Sequence, residues 1–222
     1  MSPTASKLVV LAVILGGVTA LPEPGMLGRA ACAGTSVVAN FDGLVPDFGP
    51  FGGSPYNPTP RTYIPGLDFQ AIAFGPASNG LLLSFIEPDS KNNVASAGAS
   101  EVAEGLPTII VDNNKITSFT LKNFAYGCML ATGTPVACSF TLTGYTFSGV
   151  RKCGFPFSYK PAGLLGGQAM QKTADGGVNF AECFTKAGYV KMSNIKDGTG
   201  LLSKLVVPVL DTLELDLYSR CT

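Results

Sequence analysis

Apolar and polar residues alternate along many short segments of this chain, which is the pattern of a β-strand with one buried face. The segments with this character are 35–42, 67–74, 80–86, 106–112, 116–130, 135–149, 153–159, 187–195 and 205–221. In the last segment, Leu213, Leu215 and Leu217 are predicted to face inward, with the polar residues between them facing outward. Helical periodicity is confined to the amino-terminal residues, so the pattern predicts a β-rich protein.

The clearest strand patterns are those of residues 116–130 and 135–149. We predict that these two segments pair as a hairpin with one apolar face, since in the second of them Cys138, Phe140 and Leu142 alternate with polar residues. In the first segment the apolar parity changes between Leu121 and Phe124. This change predicts a bulge or bend near Asn123.

Two connections are rich in turn residues. Residues 43–66 have a Pro or Gly every few positions, so they are predicted to form a long loop rather than a helix or a central strand. Residues 88–100 are small and polar and are predicted to be an exposed connection. Charged residues make up 14% of the chain, whereas 27 Gly and 16 Pro favour short strands and turns. The predicted fold is all-β, an antiparallel two-sheet β-sandwich of jelly-roll-like form.

The amino-terminal residues have the layout of a secretory signal peptide. Lys7 precedes an apolar run that ends in small residues at Ala20. The run is shorter than the roughly 20 apolar residues of a membrane-spanning helix. We therefore predict a cleaved helical signal peptide over residues 1–20, a leader or short propeptide over 21–31, and a single secreted, extracellular domain over 32–222.

Six cysteines follow the predicted signal peptide, and an even number in an oxidising compartment predicts three disulfides out of the 15 ways in which six cysteines can pair. Cys128 and Cys138 flank the predicted turn between the two clearest strands, so we predict a bond between them. The remaining cysteines are then expected to pair as Cys32 with Cys221 and Cys153 with Cys183. Zinc is the alternative, but the chain has neither a Cys-x-x-Cys pair nor a histidine.

Charge and composition exclude several function classes. With 15 basic and 15 acidic residues, the chain has no excess charge that favours nucleic acid or anionic membranes. The absence of histidine excludes Ser-His-Asp and Cys-His catalytic arrangements. Carboxylate chemistry remains, with Glu87, Asp89, Glu101 and Glu104 as candidate acids of a glycosidase. These acids lie mostly in a segment predicted to be solvated, which favours binding over catalysis.

Four regions carry motifs that are considered together. They are NFDGL at 40–44, YIPGLDFQ at 63–70, FAYGCML at 124–130 with PVACSFTLTGY at 135–145, and VLDTLELDLY at 209–218. This combination resembles a group of small secreted proteins of filamentous fungi, whose shape is similar to the galactose-binding-like jelly rolls of carbohydrate-binding modules. The resemblance implies a structural calcium where the first and last strands meet, at Asp42 and Asp211. The chain departs from those modules in having no tryptophan, and so lacks their flat sugar-stacking platform.

Asp211 is a candidate metal ligand for a physical reason as well. By parity with Val209 and Leu213, its side chain is predicted to face inward. A buried carboxylate needs a metal, an arginine or a set of backbone N–H donors, because an unpaired buried charge costs several kcal/mol. Calcium shared with Asp42 would satisfy this need, and hydrogen bonds from turn amides are the alternative.

The long loop supplies candidate ligand-binding residues. Tyr56, Tyr63 and Phe51 lie beside Arg61, and aromatic faces with a few polar groups are typical of sugar sites. The alternative is that these rings hold the loop against the sandwich. Tyr126 and Tyr145 are predicted to pack within or across strands rather than to contact a ligand.

Taken together, the residues predict a secreted extracellular binding protein without catalysis. The partner that we expect is an extracellular polysaccharide or glycan, bound by a carbohydrate-binding module that is lectin-like or associated with the cell wall. Two alternatives remain, a secreted fungal effector that acts on a host protein or tissue, and a carboxylate-based glycoside hydrolase or lyase. Neither a nucleic-acid partner nor a membrane span is expected.

Overall fold

The computed structural model describes residues 34–44, 57–58, 63–70, 72–76, 84–90, 93–96, 108–112, 116–130, 132–163, 166–173, 178–199 and 205–219. The strands are β1 Thr35–Ala39, β2 Asn57–Pro58, β3 Leu67–Gln70, β4 Ala73–Pro76, β5 Ser84–Glu87, β6 Asn93–Ser96, β7 Thr108–Val111, β8 Ile116–Leu130, β9 Cys138–Tyr145, β10 Arg151–Tyr159, β11 Gly166–Ala169, β12 Gln171–Lys172, β13 Tyr189–Asp197 and β14 Val206–Ser219. Within these ranges a short helix, α1 Val178–Phe184, lies between β12 and β13. The structure is therefore nearly all β, as the sequence predicts.

The strands form two antiparallel sheets and a separate parallel pair. The seven-stranded sheet has the order β12-β8-β14-β6-β4-β2, with β1 paired to the remaining part of β14. The five-stranded sheet has the order β10-β9-β13-β7-β3. The parallel pair consists of β5 and β11. The prediction of antiparallel sheets is confirmed, and the parallel pair is an addition to it.

Buried residues of both sheets belong to one hydrophobic cluster. Aromatic rings connect the sheets within it: Phe124 of β8 lies 5.2 Å from Phe157 of β10, and Tyr126 of β8 lies 5.8 Å from Phe140 of β9, between ring centroids. A cavity of only 20 Å³ is found between the sheets, so the side chains fill this region closely. The predicted inward leucines of β14 are buried, with Leu215 fully inaccessible to solvent.

The predicted hairpin between residues 116–130 and 135–149 forms only beside its turn, where Met129 and Pro135 make an isolated antiparallel bridge, and it is wrong for the rest of both strands. β8 pairs with β14 and β12, whereas β9 pairs with β10 and β13, so the two strands belong to different sheets. The chain crosses from one sheet to the other at the turn between them, and the apolar faces of both strands contribute to the shared core. A strand with one apolar face can bury that face either as part of a hairpin or as part of one of two facing sheets. The alternation pattern does not distinguish these arrangements, and the hairpin is the simpler of the two.

The central strands β8 and β14 each carry a bulge at the same level. From Asp211 to Glu214 the chain of β14 advances by three residue steps, whereas β8 advances by two over the same distance, from Ala125 to Asn123. The next step reverses this imbalance, since β8 advances from Asn123 to Leu121 while β14 advances by a single residue. The predicted bulge near Asn123 is confirmed, and it has a counterpart in the partner strand.

The bulge in β14 corrects the predicted orientation of Asp211. Thr212 has a φ of 49°, and its neighbours Asp211 and Leu213 point to opposite faces of the sheet instead of to the same face. Leu213 lines the cavity between the sheets, whereas Asp211 faces the opposite side of the seven-stranded sheet. Asp211 is nonetheless fully buried there, because the segment that follows β5 covers it. It accepts hydrogen bonds from the backbone N–H of Ser90 at 2.8 Å and of Thr212 at 2.7 Å.

Thr173 satisfies the corresponding bulge in β8. The bulge leaves the backbone N–H of Phe124 without a partner in the ladder, and this group donates to Thr173 Oγ1 at 2.9 Å. Thr173 Oγ1 in turn donates to Asn123 Oδ1 at 2.6 Å. Thr173 is buried, so one hydroxyl group completes the hydrogen bonding of the bulge away from water.

The predicted exposed connection over 88–100 is wrong in its middle part. β6, Asn93–Ser96, is buried at every position and pairs with both β4 and β14. Its small side chains fit a crowded position in the sheet. Asn93, the most polar of them, donates from Nδ2 to the backbone oxygens of Phe41 at 3.2 Å and Leu44 at 2.7 Å. Polarity indicated exposure here because the sequence does not reveal these internal acceptors.

The parallel pair covers the face of the seven-stranded sheet that is turned away from the five-stranded sheet. Ile86 of β5 is fully buried against β8, where a Cβ atom on Gly127 would lie 3.2 Å from Ile86 Cδ1. Gly127 therefore allows β5 to approach closely. The segment after β5 also carries Asp89, whose carboxylate lies 2.6 Å from Lys172 Nζ of β12.

Several predictions fall on residues that the structure does not describe. The signal peptide, the leader and most of the long loop over 43–66 lie outside the described residues. In the part of the chain that is described, no helix is long and apolar enough to cross a membrane.

We expect Thr173→Val to lower the free energy of unfolding by about 1–3 kcal/mol, because the buried Phe124 N–H loses its acceptor. Thr173→Ser keeps the hydroxyl group and removes one methyl group, so we expect it to lower the free energy of unfolding by only about 0.8 kcal/mol. Denaturant unfolding of the oxidised protein measures both. Equal destabilisation by the two substitutions would show that the hydroxyl group does not support the bulge.

The buried carboxylate of Asp211 gives a pH-dependent prediction. Burial raises its pKa above the ordinary value of 3.8, although hydrogen bonds from Ser90 and Thr212 oppose this change. The folded state therefore holds this proton more strongly than the unfolded state does. The associated stabilisation is complete below the ordinary pKa and is lost as the pH rises through the raised one.

We therefore expect the stability of the wild-type protein to fall relative to that of Asp211→Asn as the pH rises from about 3 to about 7. The asparagine has no proton to lose in this range. Denaturant unfolding of both proteins across the range gives the comparison. Parallel pH profiles, or a relative gain by the wild type, would contradict the direction of this pKa shift.

Candidate functional site

A cleft of 480 Å³ lies at the end of the five-stranded sheet where β9 begins and β10 and β13 end. Its described walls come from three loops, at residues 130–137, 160–163 and 197–199. The volume falls within the range of small-molecule sites, roughly 300–1,000 Å³. The apolar part of the lining consists of Leu130, Pro135, Val136, Ala137, Pro161 and Ala162.

The first wall is held by a disulfide. Cys128 on β8 is bonded to Cys138 on β9, with 6.1 Å between their Cα atoms. The turn between them is closed by backbone hydrogen bonds from Leu130 N to Thr134 O at 2.8 Å and from Val136 N to Cys128 O at 3.0 Å. The wall is therefore formed before a ligand binds, which lowers the entropy that binding has to overcome.

Polar groups converge on the cleft from the other two loops. Asp197 is buried at the end of β13, and Thr199 Oγ1 donates to its Oδ2 oxygen. Gly198 N donates to Ala137 O at 3.0 Å, which ties this loop to the first wall. Lys160 is exposed on the third loop. A carboxylate, a hydroxyl group and an ammonium group thus border apolar walls, an arrangement suited to a small ligand with both hydroxyl groups and C–H faces.

Tyr63, predicted to contact a ligand, is engaged within the protein. Its ring stacks on Phe41 at 5.3 Å and meets Phe69 edge-on at 6.4 Å, between centroids. Its hydroxyl oxygen accepts from Phe41 N at 2.8 Å. Burial raises the pKa of this hydroxyl group above its ordinary value. Tyr63 therefore holds its segment against β3, which is the alternative role considered for the loop aromatics.

The predicted calcium ligands have other partners in the structure. Asp211 has the donors that the amide alternative requires, since both of its oxygens accept from Ser90 Oγ at 3.0 Å in addition to the two backbone N–H groups. Asp42 lies near enough for its charge to help raise the pKa of Asp211. Calcium requires six to eight oxygen ligands. Among the described residues, no three acidic, His or Cys side chains form a group that could hold a metal ion. The calcium site at Asp42 and Asp211 stays a prediction.

The remaining candidate residues are cysteines, residues of the long loop and acids, and the structure describes only some of them. Cys153 of β10 is bonded to Cys183 of α1, with 5.5 Å between their Cα atoms, which is the second pairing favoured by the sequence. Candidates that lie outside the described residues are Tyr56, Arg61, Phe51, Glu101, Glu104, Cys32 and Cys221. Of the candidate acids, Glu87 is exposed at the end of β5 and Asp89 forms its ion pair with Lys172, so neither lies at the cleft.

Sequence reasoning missed the cleft and its residues. A signal was present in the nine residues between Cys128 and Cys138, because a disulfide across so short a loop fixes the conformation of the surface that the loop forms. The residues that complete the cleft come from positions 160–163 and 197–199, far along the chain. Only the antiparallel pairing of β9 with both β10 and β13 brings them together.

No protein-family model matches the chain, and no curated protein matches it. Among solved structures, a DUF4465 family protein from Bacteroides caccae is similar, with a TM-score of 0.50 and 14% sequence identity. The match covers 82% of this chain and 98% of that one. At this identity the likeness is one of fold alone, and it agrees with the β-rich architecture described above.

Proposed function

We propose that this chain is a secreted, non-catalytic binding protein that takes an extracellular carbohydrate into the cleft between residues 130–137, 160–163 and 197–199. In this proposal its two antiparallel sheets form a jelly-roll-like sandwich, and its six cysteines form three disulfides in the oxidising compartment to which the predicted signal peptide directs it.

The observation that carries the proposal is the preformed cleft. Sugars present apolar C–H faces and many hydroxyl groups, and they need a site with apolar walls and a few fixed polar groups. The proline, valine and alanine walls supply the first requirement. Asp197, Thr199 and Lys160 supply hydrogen-bond acceptors and donors for hydroxyl groups. The disulfide supports the rigidity that an exposed binding site needs.

Binding is favoured over hydrolysis by the acids at the cleft. A glycosidase positions two carboxyl groups on either side of the scissile bond. Asp197 is the acidic residue among the described residues that line the cleft. A single carboxylate beside an ammonium group suits recognition of hydroxyl groups better than general acid and base catalysis.

We expect Ala162→Trp to abolish carbohydrate binding while the fold is retained. Ala162 is an exposed residue of the cleft wall, so an indole there fills the cleft without entering the core. The matched control is Ser148→Trp, which adds the same side chain at an exposed position in the turn after β9. Retention of the three oxidised proteins on insoluble chitin, β-glucan, cellulose and xylan is compared, with calcium and with chelator. Wild type and Ser148→Trp should bind one polymer at least about tenfold more tightly than Ala162→Trp does.

Release by the matching soluble oligosaccharide identifies the ligand. Loss of retention in chelator would support the predicted calcium site at Asp42 and Asp211. If none of the polymers retains the wild-type protein, the carbohydrate proposal fails and a host protein becomes the expected partner. If Ala162→Trp binds as tightly as Ser148→Trp does, carbohydrate binding takes place away from the cleft.

A further inference from the structure

The charges of this chain are unevenly distributed although its net charge is zero. No Asp or Glu occurs between Asp112 and Asp175, whereas the interval contains six basic residues, Lys115, Lys122, Arg151, Lys152, Lys160 and Lys172. The interval includes all of β8, β9 and β10. Acidic residues are concentrated instead near residues 87–112 and 197–216. One segment of the chain therefore carries only basic charge, although the chain as a whole is neutral.

The pairing of β10, β9 and β13 shows where the basic side chains lie. Leu142, Val190 and Met192 line the cavity between the sheets, so their neighbours in each strand point to the outer face. Paired residues share a face, which places Lys191 beside Thr143 and Lys196 beside Ser139 on that outer face. We call the outer surface of these three strands the basic face.

Arg151 occupies a defined position on the basic face. It pairs with Tyr145, and its guanidinium group extends along β10 over Gly154. A Cβ atom on Gly154 would lie 2.9 Å from Arg151 Nη2 and 3.3 Å from Thr143 Oγ1. Because Gly154 and Lys191 both pair with Thr143, the guanidinium group and the Lys191 residue lie on either side of the same threonine.

Within the described part of the chain, no acidic side chain neutralises these cations. Among the described residues, Lys122 pairs with Asp216 at 2.8 Å and Lys172 pairs with Asp89 at 2.6 Å, both on the seven-stranded sheet or its covering segment. Arg151, Lys191 and Lys196 form no such ion pair within the described part of the chain. Lys191 Nζ instead lies 5.5 Å from the centre of the Tyr189 ring.

An acid does share this side of the five-stranded sheet, at its far edge. Asp68 on β3 is separated from Tyr189 by the intervening strand β7. Gln70 Nε2 donates to Asp68 Oδ2 at 3.0 Å. The positive surface is therefore confined to β10, β9 and β13.

The rest of the basic face carries hydroxyl groups and two aromatic rings. Tyr145 and Tyr189 stack at 4.5 Å between centroids at one end. Thr141 and Ser139 follow along β9 toward the cleft, with Ser193 beside Thr141. From Tyr145 to Ser139 the strand extends about 20 Å at roughly 3.3 Å per residue. The basic face thus ends where the cleft begins.

We infer that the basic face binds an acidic polysaccharide whose sugar rings carry carboxylates, and that it leads this polymer to the cleft. The inference deepens the proposed function by giving the chemical class of the carbohydrate. Ring carboxylates pair with Arg151, Lys191 and Lys196, and ring hydroxyl groups bond to the intervening serine and threonine side chains. The tyrosine pair offers apolar surface to C–H groups at the far end.

The spacing of the cations favours this polymer over nucleic acid. Lys191 pairs with Thr143 and Lys196 pairs with Ser139, and these two residues are four positions apart along β9. At roughly 3.3 Å per residue, the two lysines are separated by about 13 Å along the strand direction. Duplex DNA carries one charge for about every 1.7 Å of its axis, and proteins that bind it present denser cations. A chain with one carboxylate on each sugar ring matches sparse cations separated by hydroxyl groups.

The test compares binding to polygalacturonate with binding to chitin, β-glucan, cellulose and xylan, over a series of salt concentrations. We expect Arg151→Ala combined with Lys191→Ala to weaken polygalacturonate binding on the order of tenfold. The matched control is Lys122→Ala combined with Lys172→Ala, which removes the same charge from the other sheet and should change binding less than about twofold. Unfolding midpoints show that each variant is folded.

A third variant separates geometry from charge. Gly154→Ala retains every charge but places a methyl group where the Arg151 guanidinium lies, so that group has to move. We expect weaker binding to polygalacturonate, with stability kept or raised because glycine is unfavourable within a strand. Unchanged binding by both Gly154→Ala and the Arg151/Lys191 double variant would overturn the inference.

Other outcomes distinguish this inference from the proposed function. Equal affinity for acidic and neutral polymers, lost on Ala162→Trp, would overturn the acidic ligand and leave the cleft proposal standing. Acidic-polymer binding that needs Arg151 and Lys191 but survives Ala162→Trp would retain the basic face and remove the cleft. Equal losses in the two double variants, or tighter binding to anionic lipid vesicles or single-stranded DNA than to polygalacturonate, would overturn the inference.

Discussion

Hydrogen bonding at the paired bulges of β8 and β14 determines how the rest of the molecule packs. Each bulge frees backbone N–H groups inside the protein, where water cannot reach them. Thr173 accepts from Phe124 N, and Asp211 accepts from Ser90 N and Thr212 N. These acceptors come from the segment before α1 and from β14 itself. The register change therefore depends on the same contacts that fix the covering layer, and the core has the correct side chains facing it only when both are formed.

Much of the strand content follows from the sequence because side-chain alternation is a local property. The bulge near Asn123 was also predictable, since a strand can change its apolar parity and keep one buried face only where its ladder is interrupted. The sheet to which each strand belongs was not predictable, because the alternation within a strand does not identify its partner strands. For this reason β8 and β9, which are consecutive in the chain, were predicted to pair as a hairpin. The burial of β6 was missed for a related reason, since the acceptors of Asn93 lie about fifty residues earlier in the chain.

The site was less accessible to sequence reasoning than the fold. Tyr63 and Asp211 were chosen because an aromatic ring or a carboxylate in an unusual position needs a partner, and the structure gives each an internal one. The cleft and the basic face arise from positions that are ordinary one by one. Lys160, Asp197 and Arg151 are brought to one end or one face of the sheet only by the pairing of three antiparallel strands. Long-range pairing, rather than residue type, creates the site.

The Cys128–Cys138 bond has a mechanical consequence. It joins β8 of the seven-stranded sheet to β9 of the five-stranded sheet beside the cleft. A force that slides one sheet over the other at this end would act on this covalent bond as well as on the noncovalent contacts of the core. Resistance to such forced unfolding depends on the rate of barrier crossing rather than on equilibrium stability. At this end of the molecule, separation of the two sheets therefore requires a covalent bond to break in addition to the loss of noncovalent contacts.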